Sequence, residues 1–404
     1  MNRIESIVET CTACGACASV CPKGCIHMVE DINGFYYPKI DYSKCIDCGL
    51  CEKNCHILTP SERKHVEDNN SYMFWQGDTE KRQSSTSGGA FSLFAQYVLE
   101  KGGVVFGSYY NSKQERLEVG NTEKVDFELL KKSKYVESYV GTSLKSIKDY
   151  LKQGRYVLYC GTPCQAAGIR KYLTANRVNQ EKLILIDFAC HGVPTNKALT
   201  LFKRHFETQK KKVTNIEFRY KNFKDPKSPW HALTMKLYFS DNSTRIIRKN
   251  SYYYYYYKAF DISANLRYSC YNCHQVDYSF ADITVGDFWD IYKYKPELDD
   301  NKGISFIKFH NNKWACVLDT IQKKSFIQKL PADILHDPYN KKTKLPKLPM
   351  REHYLDLIWK YGYFLGSIKF FGILHILNNT FISQIKELIK PVIYSTIWRN
   401  RKRY

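Results

Sequence analysis

Long apolar runs are missing from this sequence. A membrane-spanning helix needs ~20 consecutive apolar residues. The nearest approach, FFGILHIL at 370–377, is far shorter and is flanked by Lys369 and Asn378. No secretory leader is expected: MNRIESIVET has neither the basic stretch nor the apolar core that such a segment carries. The expected location is the reducing cytoplasm, where clustered thiols bind metal more often than they oxidise, which makes disulfides the weakest reading of the fifteen cysteines. Hydrophobic residues make up 44% and charged ones 25%, ordinary for a globular chain, and 404 residues suffice for two or three domains.

Acidic residues are scarce, 40 against 61 Lys and Arg. The imbalance is uneven. Residues 1–60 hold five basic and seven acidic side chains, whereas residues 341–404 hold thirteen basic and three acidic. Such a field suits anionic partners, but the basic residues are dispersed and no recognition motif accompanies them, so a nucleic-acid-binding metal protein is the weaker reading. The terminal stretch FISQIKELIKPVIYSTIWRNRKRY mixes apolar and basic positions. It suits either peripheral contact with an anionic membrane or packing on the domain, and packing is preferred.

The cysteines are clumped. Cys11, Cys14, Cys17 and Cys21, followed by Pro22, have the spacing C-x2-C-x2-C-x3-C-P, and Cys45, Cys48, Cys51 and Cys55 repeat it 34 residues later. Zinc knuckles show two C-x2–4-C pairs, not three consecutive cysteines plus a fourth, twice. The doubled run is the pattern of two-cluster 4Fe-4S ferredoxins, in which the fourth cysteine of each run serves the other cluster. That rule groups Cys11, Cys14, Cys17 and Cys55 in one set, and Cys45, Cys48, Cys51 and Cys21 in the other. His56 replaces the usual proline and, touching no ligand position, is discounted; Cys25 reads as a spare or buried thiol.

After a polar linker (TPSERKHVEDNNS) the texture alternates between helix-like and strand-like stretches. SSTSGGAFSLFAQYVLEKGG has Ser/Thr capping candidates and a glycine stop, RYVLYCGTPC runs from a buried strand into a tight turn, and LILIDFAC is a second buried strand. VTNIEFRYK and LTMKLYFSDNSTRIIRK alternate like strands with one exposed face. The fold class is mixed α/β: a two-cluster ferredoxin-like domain at 1–60, a larger α/β domain at 71–340, and a basic, partly helical tail at 341–404. Cys160, Cys164, Cys190, Cys270 and Cys273 fall at element ends, and strand ends on one edge of such a sheet converge. Four of these five could hold a third cluster or structural zinc. Cys316, in an apolar helical context, reads as core, and the tyrosine run at 251–260 as packing.

Residues 84–290 resemble the family of beta subunits of the deazaflavin-dependent (coenzyme F-420) hydrogenases and dehydrogenases. The likeness is carried in order by SSTSGGAFSLFAQYVL, GGVVFGSYY, KKSKYVESYVG, YVLYCGTPCQAAGIRKYL, DFACHGVP, EFRYK, RYSCYNC and DITVGDFW. The resemblance implies FAD beside a 4Fe-4S cluster. Carried over by position, Cys164, Cys190, Cys270 and Cys273 are the third cluster's ligands and Cys160 is left out. Flavin contacts are assigned to Ser87, Gly88 and Gly89 at a helix start, to Lys134 and Tyr135 on a phosphate or ring, and to Gly161, Thr162 and Pro163. Asp287 reads as a cap or a flavin contact. His191 is the one candidate for proton transfer, set against a hydrogen bond near the cluster or plain packing.

The resulting expectation is an iron–sulfur flavoprotein oxidoreductase. A ferredoxin or other one-electron donor charges the N-terminal pair, a third cluster relays electrons to FAD, and hydride passes to or from a deazaflavin or other small molecule. The alternative is a non-catalytic electron-transfer subunit of a larger oxidoreductase complex.

Overall fold

The structure, a computed structural model, describes residues 3–60, 70–248, 255–275, 279–321, 325–331, 334–335 and 348–372. Most of the interdomain linker, the first tyrosines of the 251–260 run and the basic end of the tail lie outside the described residues.

The N-terminal unit is built twice on one plan. Helices Ala16–Val20 and Leu50–Lys53 each start after a glycine in the left-handed region, Gly15 at φ 75° and Gly49 at φ 69°. An antiparallel hairpin, β1 (Ile26–Glu30) with β2 (Tyr36–Ile40), joins the two halves. Ile4, Ile26 and Ile40 pack among Cys17, Cys25, Cys51 and Cys55 to make a small core.

The larger part contains β3 (Ser71–Gln76), β4 (Val104–Asn111), β5 (Arg116–Asn121), β6 (Ser138–Tyr139), β7 (Val157–Gly161), β8 (Leu183–Phe188), β9 (Val213–Glu217), β10 (Met235–Phe239), β11 (Thr244–Ile247), β12 (Ile283–Asp287), β13 (Ser305–Phe309) and β14 (Ser325–Lys329). Nine of these form one sheet in the order β14-β3-β13-β12-β8-β7-β4-β5-β6, and β11-β10-β9 form a small antiparallel sheet. The centre of the large sheet, β4-β7-β8-β12, is parallel. Its strands are continuous apolar runs because both faces are covered. Phe106, Tyr159 and Leu185 face one core cluster, while Val105, Leu158 and Ile184 face the other.

The N-terminal unit is seated on this body. Ala16, with Cys14 and Val20, packs among Val140, Ile147, Ile169 and Leu173, so the first face of the sheet covers the cysteine loop as well. Lys197 Nζ donates to the Ile32 carbonyl at 2.6 Å, and Trp359 Nε1 donates to Asn33 Oδ1 at 2.9 Å.

Several local readings differ from expectation. Helix Ala90–Glu100 begins at Gly89, in the left-handed region with no side-chain cap, so the serines before it are not its caps. Cys316 is exposed at a turn before helix Val317–Ile321, not core. Arg219 and Lys221, read as strand residues with one exposed face, are 2% and 3% exposed, because the small sheet folds this segment back against the large one. Tyr255, Tyr256 and Tyr257 are buried in helix Tyr255–Asp261. Within the tail, helix Leu348–Tyr361 packs Tyr354, Leu355 and Ile358 against Ala198, Ala259 and Ala264. Among the described residues no helix is long and apolar enough to cross a membrane.

Ile186, wholly buried in β8 between β7 and β12, anchors the strand that leads to Cys190. Replacing Ile186 with Ala should cost roughly 2–5 kcal/mol, and with Val about 1 kcal/mol, read as shifts in the guanidinium midpoint at unchanged slope.

Candidate functional site

Two cavities lie within the N-terminal unit. One is lined by Cys11, Cys14, Cys17 and Cys55. The other is lined by Cys21, Cys45, Cys48 and Cys51. The fourth cysteine of each run thus sits with the other run's first three. Cys25 joins the second cavity: it is 2% exposed and its Sγ lies 3.4 Å from Cys21 Sγ. Cys48 is exposed while Cys11 and Cys17 are buried, so the second cavity faces solvent and the first faces the large domain.

The third group of cysteines is gathered by loops at the carboxyl edge of the parallel strands. β7 ends in Gly161, and Thr162 caps helix Pro163–Ala175: its Oγ1 accepts the Gln165 amide, and Gln165 Oε1 accepts the Thr162 amide at 3.1 Å. Proline suits the first helical position, where no amide partner is needed. Cys164 follows in the first turn, Sγ 3.1 Å from Thr162 Oγ1. Cys190 lies two residues past β8. Gly192, at φ +121°, lets this loop close in, since a Cβ there would come within 2.7 Å of Leu266 and 3.3 Å of Cys270 Cβ. Cys270 is on helix Tyr268–Tyr271, and Cys273 is in the turn after it.

Electrostatics link these sulfurs. Burial pushes the Cys190 thiol well up, and Cys270, Cys164 and Cys273 add to the shift. Burial likewise raises Cys164 to about 11 and Cys270 to about 12, each with a contribution from Cys273. Cys14 rises to about 12, again first through burial, with Cys55, Cys11 and Cys164 all acting on it. The first and third sets are therefore neighbours. Crowded buried thiols are poor acids on their own; a cationic metal centre supplies the charge that holds them as thiolates. Among the described residues no three Cys, His, Asp or Glu side chains gather tightly enough for a single metal ion. The donor set and the open space between the sulfurs in the N-terminal unit fit iron–sulfur cubes. Cys160 stands apart: after burial, its neighbours are Asp187 and Lys134.

The expected flavin contacts are placed unevenly. Gly88 is wedged against β3 and β13, where a Cβ would meet the Phe74 carbonyl at 2.1 Å, and its amide donates to Ser305 Oγ at 3.0 Å. Ser87 Oγ also meets Ser305 Oγ, at 2.8 Å. Contrary to expectation, Gly88 offers no bare amide to a ligand, because β13 crosses directly beneath it. Gly161 is closed in by the Tyr159 ring and Gln165. Tyr135 is ringed by Phe218, Tyr257 and Phe260, with its hydroxyl accepting from Arg219 at 3.1 Å. Asp287 pairs with Arg219 at 2.8 Å. His191 is exposed, its Nε2 3.2 Å from Ser263 Oγ and its ring edge-on to Phe260.

Lys134 does belong to a notable group. Its Nζ donates to the Leu129 carbonyl at 2.9 Å, and burial pulls the ammonium down to about 7, with Lys132 nearby. Lys221 donates to the carbonyls of Ser87 and Lys302 at 2.9 and 2.7 Å; burial, then Arg82 and Arg219, bring it to about 6. Sequence reasoning passed over Lys221 and Arg219, although FRYK places them two apart, on one face of an extended segment. It also discounted His56, which is buried with Nε2 2.9 Å from Thr12 Oγ1 and Nδ1 3.5 Å from Gln275 Nε2, bridging the first cysteine loop to the turn after Cys273.

At Gly168 the two parts touch closely, since a Cβ there would lie 2.7 Å from both Cys14 Cβ and Sγ. Gly168→Val should push the first cysteine loop off its seat and lower iron by about four atoms per chain. Anaerobically purified protein with a full iron complement would show that the loop can yield.

Residues 154–333 match the family described as the carboxyl-terminal part of the beta subunit in coenzyme F420 hydrogenase/dehydrogenase, and residues 10–57 match the 4Fe-4S dicluster domain. A subunit of F(420)H(2) dehydrogenase from Methanosarcina mazei is 24% identical over 292 residues, covering 69% of this chain and 75% of the relative. A 7Fe ferredoxin from Hydrogenibacillus schlegelii is 47% identical over 53 residues, 13% of this chain and 62% of the ferredoxin. Among solved structures, a chain from the F420-reducing [NiFe] hydrogenase complex of Methanosarcina barkeri is 15% identical with a TM-score of 0.47, covering 73% of this chain and 95% of that one. Residues 10–57 of this chain are thus similar to a 4Fe-4S dicluster domain, and residues 154–333 to the carboxyl-terminal part of coenzyme F420 hydrogenase/dehydrogenase beta subunits.

Proposed function

We propose that this chain is the iron–sulfur electron-transfer subunit of a larger oxidoreductase, carrying three 4Fe-4S clusters in series. The observation that carries this reading is the adjacency of the sets: Cys14 and Cys164 act on one another across the seam at Gly168. A one-electron donor would dock at the exposed Cys48 side, where Ile46 and Leu50 line the second cavity's rim. Electrons then pass through Cys21, Cys45, Cys48 and Cys51, next through Cys11, Cys14, Cys17 and Cys55, and last to Cys164, Cys190, Cys270 and Cys273. The relative named as a dehydrogenase component supports a partner protein beyond that point.

Iron and acid-labile sulfide per chain test the proposal. About twelve irons are expected in protein handled without oxygen, bleaching on dithionite reduction. Cys190→Ser should leave about eight, whereas Cys160→Ser should leave about twelve. Equal losses in the two variants, or eight irons in the unaltered chain, would remove the third cluster.

A second reading is favoured by the lysines. Lys221 is buried and Lys134 half-buried, both on backbone carbonyls, and among the described residues neither has an ion-pair partner, so an anionic group would complement them. Phosphate-bearing FAD suits that set, held by Lys134 and Lys221. When bound, FAD couples one-electron carriers to hydride chemistry with a deazaflavin or other small molecule. An anion favours the charged ammonium, so binding would draw protons onto lysines that sit near 7 and 6 without it. FAD affinity should therefore fall as pH rises from about 6.5 to 8.5, by up to about tenfold per unit for each proton taken up. Titration calorimetry in buffers of different ionisation heat reads this directly; no FAD binding, or pH-independent binding, removes the second reading.

A further inference from the structure

Arg267 is 1% exposed, stands three residues before Cys270 and leads into helix Tyr268–Tyr271. Its side chain crosses from the large domain into the N-terminal unit. Nε donates to the Cys11 carbonyl at 2.6 Å and Nη2 to the Tyr36 carbonyl at 2.8 Å. The guanidinium lies 4.2 Å from the centre of the Tyr37 ring. Glu137 is its single carboxylate partner among the described residues, at 2.5 Å from Nη1, and the other Glu137 oxygen accepts the Tyr36 amide at 3.1 Å. The pair is neutral overall but oriented. The guanidinium donates to both the cysteine loop and the β1–β2 hairpin, and the carboxylate accepts from the hairpin.

Arg267 acts electrostatically on the first set through Cys11 and on the third through Cys270 and Cys164. A buried pair of this kind is a costly way to join two domains, and apolar residues do as well for stability alone. Its charge has a second use. Reducing a thiolate-ligated cluster adds one negative charge, and a nearby guanidinium in a low-dielectric setting stabilises that state.

We propose that Arg267 is a positioning residue that sets the redox poise of the step between the first and third cysteine sets, with Glu137 limiting its effect. The inference rests on the iron–sulfur reading above. In that step one electron leaves the reduced cluster of the first set and enters the oxidised cluster of the third, with no bond made or broken. The guanidinium raises the potentials on both sides of the seam and keeps the two electron-holding states close in energy.

The test is the set of midpoint potentials, followed by electron paramagnetic resonance in redox titrations of the full chain, with iron and sulfide measured on each sample. Arg267→Met should shift the first-set potential downward, the ratio of reduced to oxidised cluster falling about tenfold, or ~59 mV for a one-electron couple. Glu137→Gln should shift it upward, because the guanidinium is then uncompensated. Arg267→Lys, which keeps the charge but not the fork, should fall between wild type and Arg267→Met. Should Arg267→Met lose iron, the other two variants decide. Unchanged potentials at full iron content, or shifts of the same sign in Arg267→Met and Glu137→Gln, would reduce Arg267 to a clamp. Eight irons in the wild type would instead overturn the three-cluster reading, leaving the first-set potential to judge Arg267.

Discussion

The close approach of Cys14 to Gly168 is the constraint on which the rest of the molecule depends. Any side chain at 168 would hold the N-terminal unit away from the large domain. Helix Pro163–Ala175 explains why the contact falls there. Cys164 and Gly168 are four residues apart, so they lie on one face of that helix, a turn from each other. One helical turn therefore carries both a thiol of the third set and the landing place for the first. The sheet behind it, with Thr162 capping and Gln165 returning the bond, holds that turn in place.

Burial acts on two groups of ionisable side chains in the large domain. Around Cys164, Cys190 and Cys270, burial crowds thiols together with Arg267 as the cation acting on Cys164 and Cys270. Around Lys134 and Lys221, burial crowds ammonium groups that rest on carbonyl oxygens. On the readings proposed above, iron would meet the sulfur side and an anion the lysine side. Cys160 has Lys134 and Asp187 as its charged neighbours, and none of the other four thiols.

Burial also distinguishes the two ends of the proposed route. The second cysteine set has Cys48 at the surface, while the first set is closed over by Ile4, Ile7 and the packing against Val140 and Ile169. A cluster near solvent suits exchange of electrons with a mobile partner, whereas one packed against the large domain suits exchange within the chain. In the proposed route, the order of the sets follows from which half of a duplicated unit faces the sheet.

Much of this was legible in the chain itself. The cysteine spacing by itself determined the character of residues 10–57, because the loop around a cube tolerates little variation in length, and the apolar runs ending in Cys160 and at Phe188 marked the central strands. What the linear sequence did not contain was proximity. Nothing in RYSC marks Arg267 as reaching Cys11, 256 residues away. Nothing in FRYK marks Arg219 and Lys221 as buried, and the glycines at 88 and 89 read as an open helix start although β13 lies against Gly88 and β3 against Gly89. Spacing along a chain reports on ligands drawn from one loop, whereas charges and thiols gathered from separate loops are brought together only when the sheet closes and its strand ends converge.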